Sequence, residues 1–186
     1  AFYLFGAAFN IFFLIYAVIV FFSAVTLFIQ LLHGDIRNLS KRFSIKTPVK
    51  SVSIYLFLIT LMLFSLELSM IIPFLLDGTI PATIKLTGLS TSVVFALDFS
   101  IVIPFSIIAA ILLWQRHSYG FFLSVIMLVK GATYGLVLCV GTALLAYSDT
   151  YGKWDLMMPL YVVLVGGGIV GCWLLLKNFK ENLINI

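Results

Sequence analysis

The sequence predicts an all-α, polytopic transmembrane protein, a helical bundle crossing a bilayer about five times. Two observations carry this. Of 186 residues, 63% are hydrophobic and only 10% charged, with a mean hydropathy of +1.21. A water-soluble domain carries about a quarter charged residues to hydrate its surface, so this chain has hydrocarbon as its solvent. The second observation is the continuity of apolar runs such as Ile11–Phe22 and Ser106–Trp114. Lipid leaves exposed backbone unsatisfied, so spans are helices or closed barrels. A barrel strand alternates polar and apolar residues, and these runs do not.

A crossing takes roughly 20 apolar residues. From Ala1 to Leu32 there is no charge at all, a length of roughly 48 Å at the helical rise. That exceeds the membrane core, and Gly6 and Asn10 are the weak points, which places the first span at residues 8–32. The only markedly polar stretch follows, residues 33–50, with Arg37, Lys41, Arg42, Lys46 and Lys50 against Asp35. The second span is 51–76. Residues 77–88 make an exterior loop with turn chemistry at Asp77-Gly78 and Pro81. The third span is 89–114, the fourth 120–147 and the fifth 156–176, before the polar tail KNFKENLINI. All five belong to a single transmembrane domain over residues 1–186.

Orientation follows from the basic residues of short loops, which stay cytoplasmic. The loop after span one carries five Lys/Arg, the turn after span three Arg116, and the tail Lys177 and Lys180, whereas the alternate loops carry Lys85 and Lys153. The amino end therefore faces out and the carboxyl end in, as expected for a multi-pass protein of a cell membrane. Trp114, Tyr119, Tyr147, Tyr151 and Trp154 fall at span ends, where amphipathic rings sit. The partners expected are the bilayer itself and anionic headgroups at the basic loop, with no nucleic acid.

Three ionisable residues lie within spans: Glu67, Asp98 and Lys130. A central Asp or Lys costs roughly 2.5–3.5 kcal/mol on insertion scales, so each needs a partner or a wet cavity. The two acids lie about 6 Å outward of their span centres and Lys130 about 5 Å inward, within reach of its long stem. One reading is an ion pair that fixes helix packing. The functional reading is a proton or cation relay, since burial disfavours leaving all three charged. Pro73 and Pro104 follow the acids on the same two spans, where a proline frees a carbonyl and kinks the helix. Such kinks are also ordinary packing features.

Small residues mark helix contacts. Gly131 and Gly135 form a GxxxG on span four that continues to Cys139 and Ala143, and Gly167 and Gly171 belong to a glycine-rich face of span five. Both read as intramolecular packing faces. Cys139 and Cys172 fall at opposite depths, so no disulfide is expected between them. His33 and His117 lie at the membrane margin, where neither suits a haem, and no spacing suggests a metal site. Lys130 beside a carboxylate is reminiscent of a retinal Schiff base, but no cofactor is expected.

The stretches AFYLFGAAFN and LDFSIVIPFSIIAAILLWQRHSYGFFLSVIMLVKGATYGL resemble parts of a family of bacterial polytopic membrane proteins without an assigned function. The resemblance covers about a third of the chain. It implies further spans before Ala1, and it carries no activity, ligand or site residue. The leading expectation is thus a non-enzymatic transporter-like or structural protein centred on Glu67, Asp98 and Lys130. One alternative is an enzyme or redox component working near His33, Arg37, Arg116 and His117. Another is an accessory or sensor subunit whose protein partner packs on the glycine faces.

Overall fold

Helices close their interior backbone hydrogen bonds within one segment, and six α-helices lie among the described residues of the computed structural model. It describes residues 13–81, 84–85, 92–147, 157–177 and 179. These hold α1 (Phe13–His33), a 3-10 helix (Ile36–Arg42), α2 (Val49–Asp77), α3 (Val93–Leu97), a π-helical turn (Asp98–Val102), α4 (Ile103–Trp114), α5 (Ser118–Tyr147) and α6 (Met158–Leu176). The protein is all-α. Among the described residues, strand pairing is limited to an isolated antiparallel bridge between Phe43 and Phe179.

Four helical stretches are long and apolar enough to cross a membrane: Val49–Asp77, Val93–Trp114, Ser118–Leu144 and Met158–Leu176. A fifth crossing is counted if Ala17–Leu31 and Ile36–Arg42, bent by 76°, form one span. Accessibility follows the same logic. Phe21, Phe22, Phe57, Ile111, Val162 and Trp173 are exposed, while Ser53, Thr60, Glu67, Asp98 and Ser124 are buried. In water this would be inside out; in lipid the apolar side chains face their solvent. The chain is an integral membrane protein.

Helix ends differ from the sequence reading where local chemistry intervenes. Ser92 caps α3, its Oγ accepting from the Phe95 N–H at 3.2 Å, and residues 86–91, where the sequence starts the third span, lie outside the described residues. α2 takes in Val49 and Lys50, directly after Pro48, whose fixed φ suits a helix start. It ends at Asp77, where Gly78 (φ +75°) returns its N–H to the Phe74 carbonyl at 3.0 Å. Asp77 Oδ1 then accepts from the Thr79 N–H at 2.9 Å. α6 has a proline in its first turn, where the missing N–H costs nothing. Gly6, Asn10, Tyr151, Lys153, Trp154 and Lys180 lie outside the described residues.

The chain divides into two compact units: residues 1–36 with 61–104, and residues 37–60 with 105–186. The second holds the apolar core, in which Val52 and Leu56 of α2, Leu113 of α4, Phe121 and Leu128 of α5 and Leu175 of α6 meet. From Arg37 on, the basic stretch belongs to this unit. Phe43 stacks on Phe121 (4.2 Å between centroids, 9° between planes) and meets Phe179 edge-on at 5.3 Å. The cysteines are free thiols on α5 and α6.

Candidate functional site

Glu67 and Asp98 belong to the same unit and are 3% and 5% exposed. Glu67 lies on α2, one helical turn past Phe64; Asp98 directly precedes Phe99. The Phe64 and Phe99 rings meet edge-on, 5.8 Å between centroids. This contact brings the C-terminal part of α2 against the segment that carries Asp98. Both acids are thus buried on neighbouring helices of one unit.

Asp98 is also the first residue of the π-turn, which the Ile103 N–H closes by donating to the Asp98 carbonyl five residues back. Pro104 explains the widening. It offers no N–H and would clash with the carbonyl four residues earlier; the extra residue of the π-turn places it instead in the first turn of α4, where both penalties vanish. Such π-turns inside α-helices are frequent at functional sites. Ser100 caps its own exposed position by donating to the Ala96 carbonyl. Pro73, on α2, stands six residues beyond Glu67. The hydroxyls nearby are spent locally: Ser65 on the Leu61 carbonyl (2.8 Å) and Ser69 on the Leu66 carbonyl (2.6 Å).

Lys130 belongs to the second unit. It is half-buried on α5, and its Nζ stands 5.4 Å from the centroid of the Tyr134 ring, one turn on. A cation over a ring face is favourable by roughly 0.5–2 kcal/mol, more as it loses water.

The glycines serve different neighbours. A Cβ on Gly131 would touch Leu164 at 3.3 Å, and one on Gly135 would approach Val165 at 3.0 Å and the Tyr161 carbonyl at 3.1 Å, so this face of α5 lies on α6. Gly168 and Gly171 of α6 answer it: their Cβ atoms would stand 2.8 Å from the Leu128 carbonyl and 2.8 Å from the Leu128 side chain. Gly167 faces α2 instead, where a Cβ would overlap the Tyr55 ring. The Tyr55 hydroxyl donates to the Leu164 carbonyl at 3.2 Å. Helical geometry turns about 100° per residue, so adjacent glycines meet two different helices. Gly167 and Gly171, one strip in the sequence, therefore divide between α2 and α5.

The basic end holds residues whose roles sequence reasoning missed. α4 closes with the His117 N–H on the Leu112 carbonyl (2.9 Å) and the Arg116 N–H on the Leu113 carbonyl (2.9 Å), with Arg116 in the left-handed region at φ +55°. This is a Schellman end, which glycine ordinarily occupies. The Arg116 guanidinium donates to the carbonyls of Ser44 (3.3 Å), Ile45 (2.6 Å) and Thr47 (2.9 Å). Ser118 donates to the Arg37 carbonyl (2.8 Å) and accepts from the Ser40 N–H (3.1 Å). Gly120 lets α5 cross against α4, since a Cβ there would strike the Leu112–Leu113 backbone. His117 stacks on Tyr119 at 5.7 Å. Arg116 and Ser118 thus fasten the basic segment to the α4–α5 turn, which leaves the Arg116 donors committed to backbone. Among the described residues, no three His, Cys, Asp or Glu side chains converge as a metal-binding group.

Comparison with protein-family models, with curated proteins and with solved structures finds no match.

Proposed function

We propose that the protein is a transporter-like, multi-span protein of a bacterial cell membrane that handles protons or small cations at Glu67 and Asp98. The observation that carries this reading is the burial of two carboxyls on contacting helices of one unit, one of them opening a π-turn. Acids inside a span are costly enough that they mark ion or proton pathways by default. Lys130 is a third polar point whose contribution its own variants would report.

The orientation proposed is amino end outside and carboxyl end in the cytoplasm, from the bias of Arg37, Lys41, Arg42, Lys46, Lys50, Arg116 and Lys177 towards one set of connections. The family resemblance of the first and the third-to-fourth spans supports the bacterial setting. The enzyme reading at the basic end has less support, because Arg116 is engaged with three backbone carbonyls.

The test is flux. Purified protein in liposomes carrying a pH-sensitive dye, under an imposed potassium or proton gradient, should acidify or alkalinise the lumen above protein-free vesicles. Asp98→Asn should lower that rate at least ten-fold without lowering the melting temperature in detergent. A rate equal to that of empty vesicles, or an undiminished rate in Asp98→Asn, defeats the proposal. Loss of stability with retained flux would make the acids structural.

A further inference from the structure

At the basic end of the second unit, an open-sided groove of about 310 Å³ runs between α2 and α4, a volume at the lower end of the roughly 300–1,000 Å³ typical of ligand pockets. Phe57, Leu58, Ala110 and Ile111 supply apolar walls, and Ser53 and Trp114 line it towards the helix ends. Phe57, Leu58 and Ile111 are exposed, so the groove opens on the surface that lipid covers.

Two features go beyond an apolar trough. Ser53 is 2% exposed and its Oγ has no hydrogen-bond partner. Serines and threonines on this helix ordinarily satisfy themselves on a carbonyl one turn back, as Thr60 does on Leu56 at 2.6 Å and Ser65 on Leu61 at 2.8 Å. The Ser53 hydroxyl is thus a buried donor without a partner, on a residue that lines the groove. One turn nearer the helix start, Lys50 is exposed and holds its Nζ 5.5 Å from the centroid of the Trp114 ring. From the helix start inward the order is cation, hydroxyl donor, then apolar walls. That is the order of phosphate, ester carbonyl and acyl chain in a phospholipid.

We propose that this groove binds one anionic phospholipid, with an acyl chain along Phe57, Leu58 and Ile111, an ester carbonyl accepting from Ser53 Oγ, and the headgroup phosphate at Lys50. Charge complementarity selects an anionic over a zwitterionic headgroup. A basic residue near an anionic surface contributes about 1 kcal/mol, which is about five-fold in relative association.

Fluorescence quenching of Trp114 tests this in the full chain, with Trp154→Phe and Trp173→Phe removing the other tryptophans. The vesicles mix phosphatidylglycerol with phosphatidylcholine, and only one of the two carries brominated acyl chains. Brominated phosphatidylglycerol should associate about five-fold more strongly than brominated phosphatidylcholine. Lys50→Gln should bring the ratio close to one, and Ser53→Ala should weaken both lipids alike. Equal quenching by both lipids in the chain that keeps Lys50 overturns the proposal, and so does a five-fold ratio that survives Lys50→Gln. Absence of quenching by either lipid would mean that protein covers the groove, and also overturns it. Should a tryptophan variant fail to fold, the lipids that co-purify with the unaltered chain and with Lys50→Gln give the same ratio by mass spectrometry.

Discussion

Arg116 holds a backbone conformation that glycine adopts freely and other residues adopt at a cost of roughly 1–2 kcal/mol. Its guanidinium offsets that cost through bonds to three carbonyls of residues 44–47, each charged hydrogen bond contributing about 1.5–3 kcal/mol. Arg116→Gly would relieve the backbone yet lose the clamp, so it should destabilise the protein by about 2 kcal/mol or more. Arg116→Lys should fall in the same direction, because an ammonium lacks the fork that reaches several acceptors. Thermal unfolding in detergent checks both, and an unchanged midpoint would remove the clamp from the account. The sequence identified Arg116 as a topology signal and as one of the residues near which a membrane enzyme would work. Its partners lie about 70 residues away and are backbone atoms, which no residue pattern announces. Glu67 and Asp98 were legible for the opposite reason: charge inside an apolar run is conspicuous because hydrocarbon penalises it.

At the scale of elements, the α5–α6 contact depends on how close two backbones come. A Cβ on Gly168 would stand 2.8 Å from the Leu128 carbonyl, whereas one on Gly166 would meet nothing within 4 Å. Gly168→Ala should therefore cost about 1–3 kcal/mol as overpacking. Gly166→Ala should be neutral or stabilise by up to about 1 kcal/mol, because alanine favours helix. Equal melting temperatures for the two variants would show that the contact is looser than this geometry. The helices themselves were readable from continuous hydropathy, and so were the glycine-rich faces. Which glycine meets which helix was not, since Gly167 and Gly168 differ only by a rotation that depends on where Tyr55 and Leu128 stand. The π-turn was equally hidden: hydropathy runs unbroken from Val93 to Trp114, and Pro104 alone predicts a kink, not the extra residue that accommodates it.

For the whole molecule, the positive-inside bias makes a prediction about sides. In a chain with Cys139 and Cys172 replaced, Lys46→Cys should react with a membrane-impermeant maleimide only from the cytoplasmic face, and Thr79→Cys only from outside. Both positions are exposed. Labelling of Lys46→Cys in intact cells would invert the orientation. The acidic pair invites a stricter test than loss of flux alone. If Glu67 and Asp98 form one functional group, removing either removes the function, and removing both costs little more.

The decisive measurement is the rate of proton or cation flux in liposomes for Glu67→Gln, Asp98→Asn and the double variant, each at matched stability and reconstitution. The account predicts that both single variants lose at least ten-fold and that the double variant is within about two-fold of either. Wild-type rates in both single variants would contradict it.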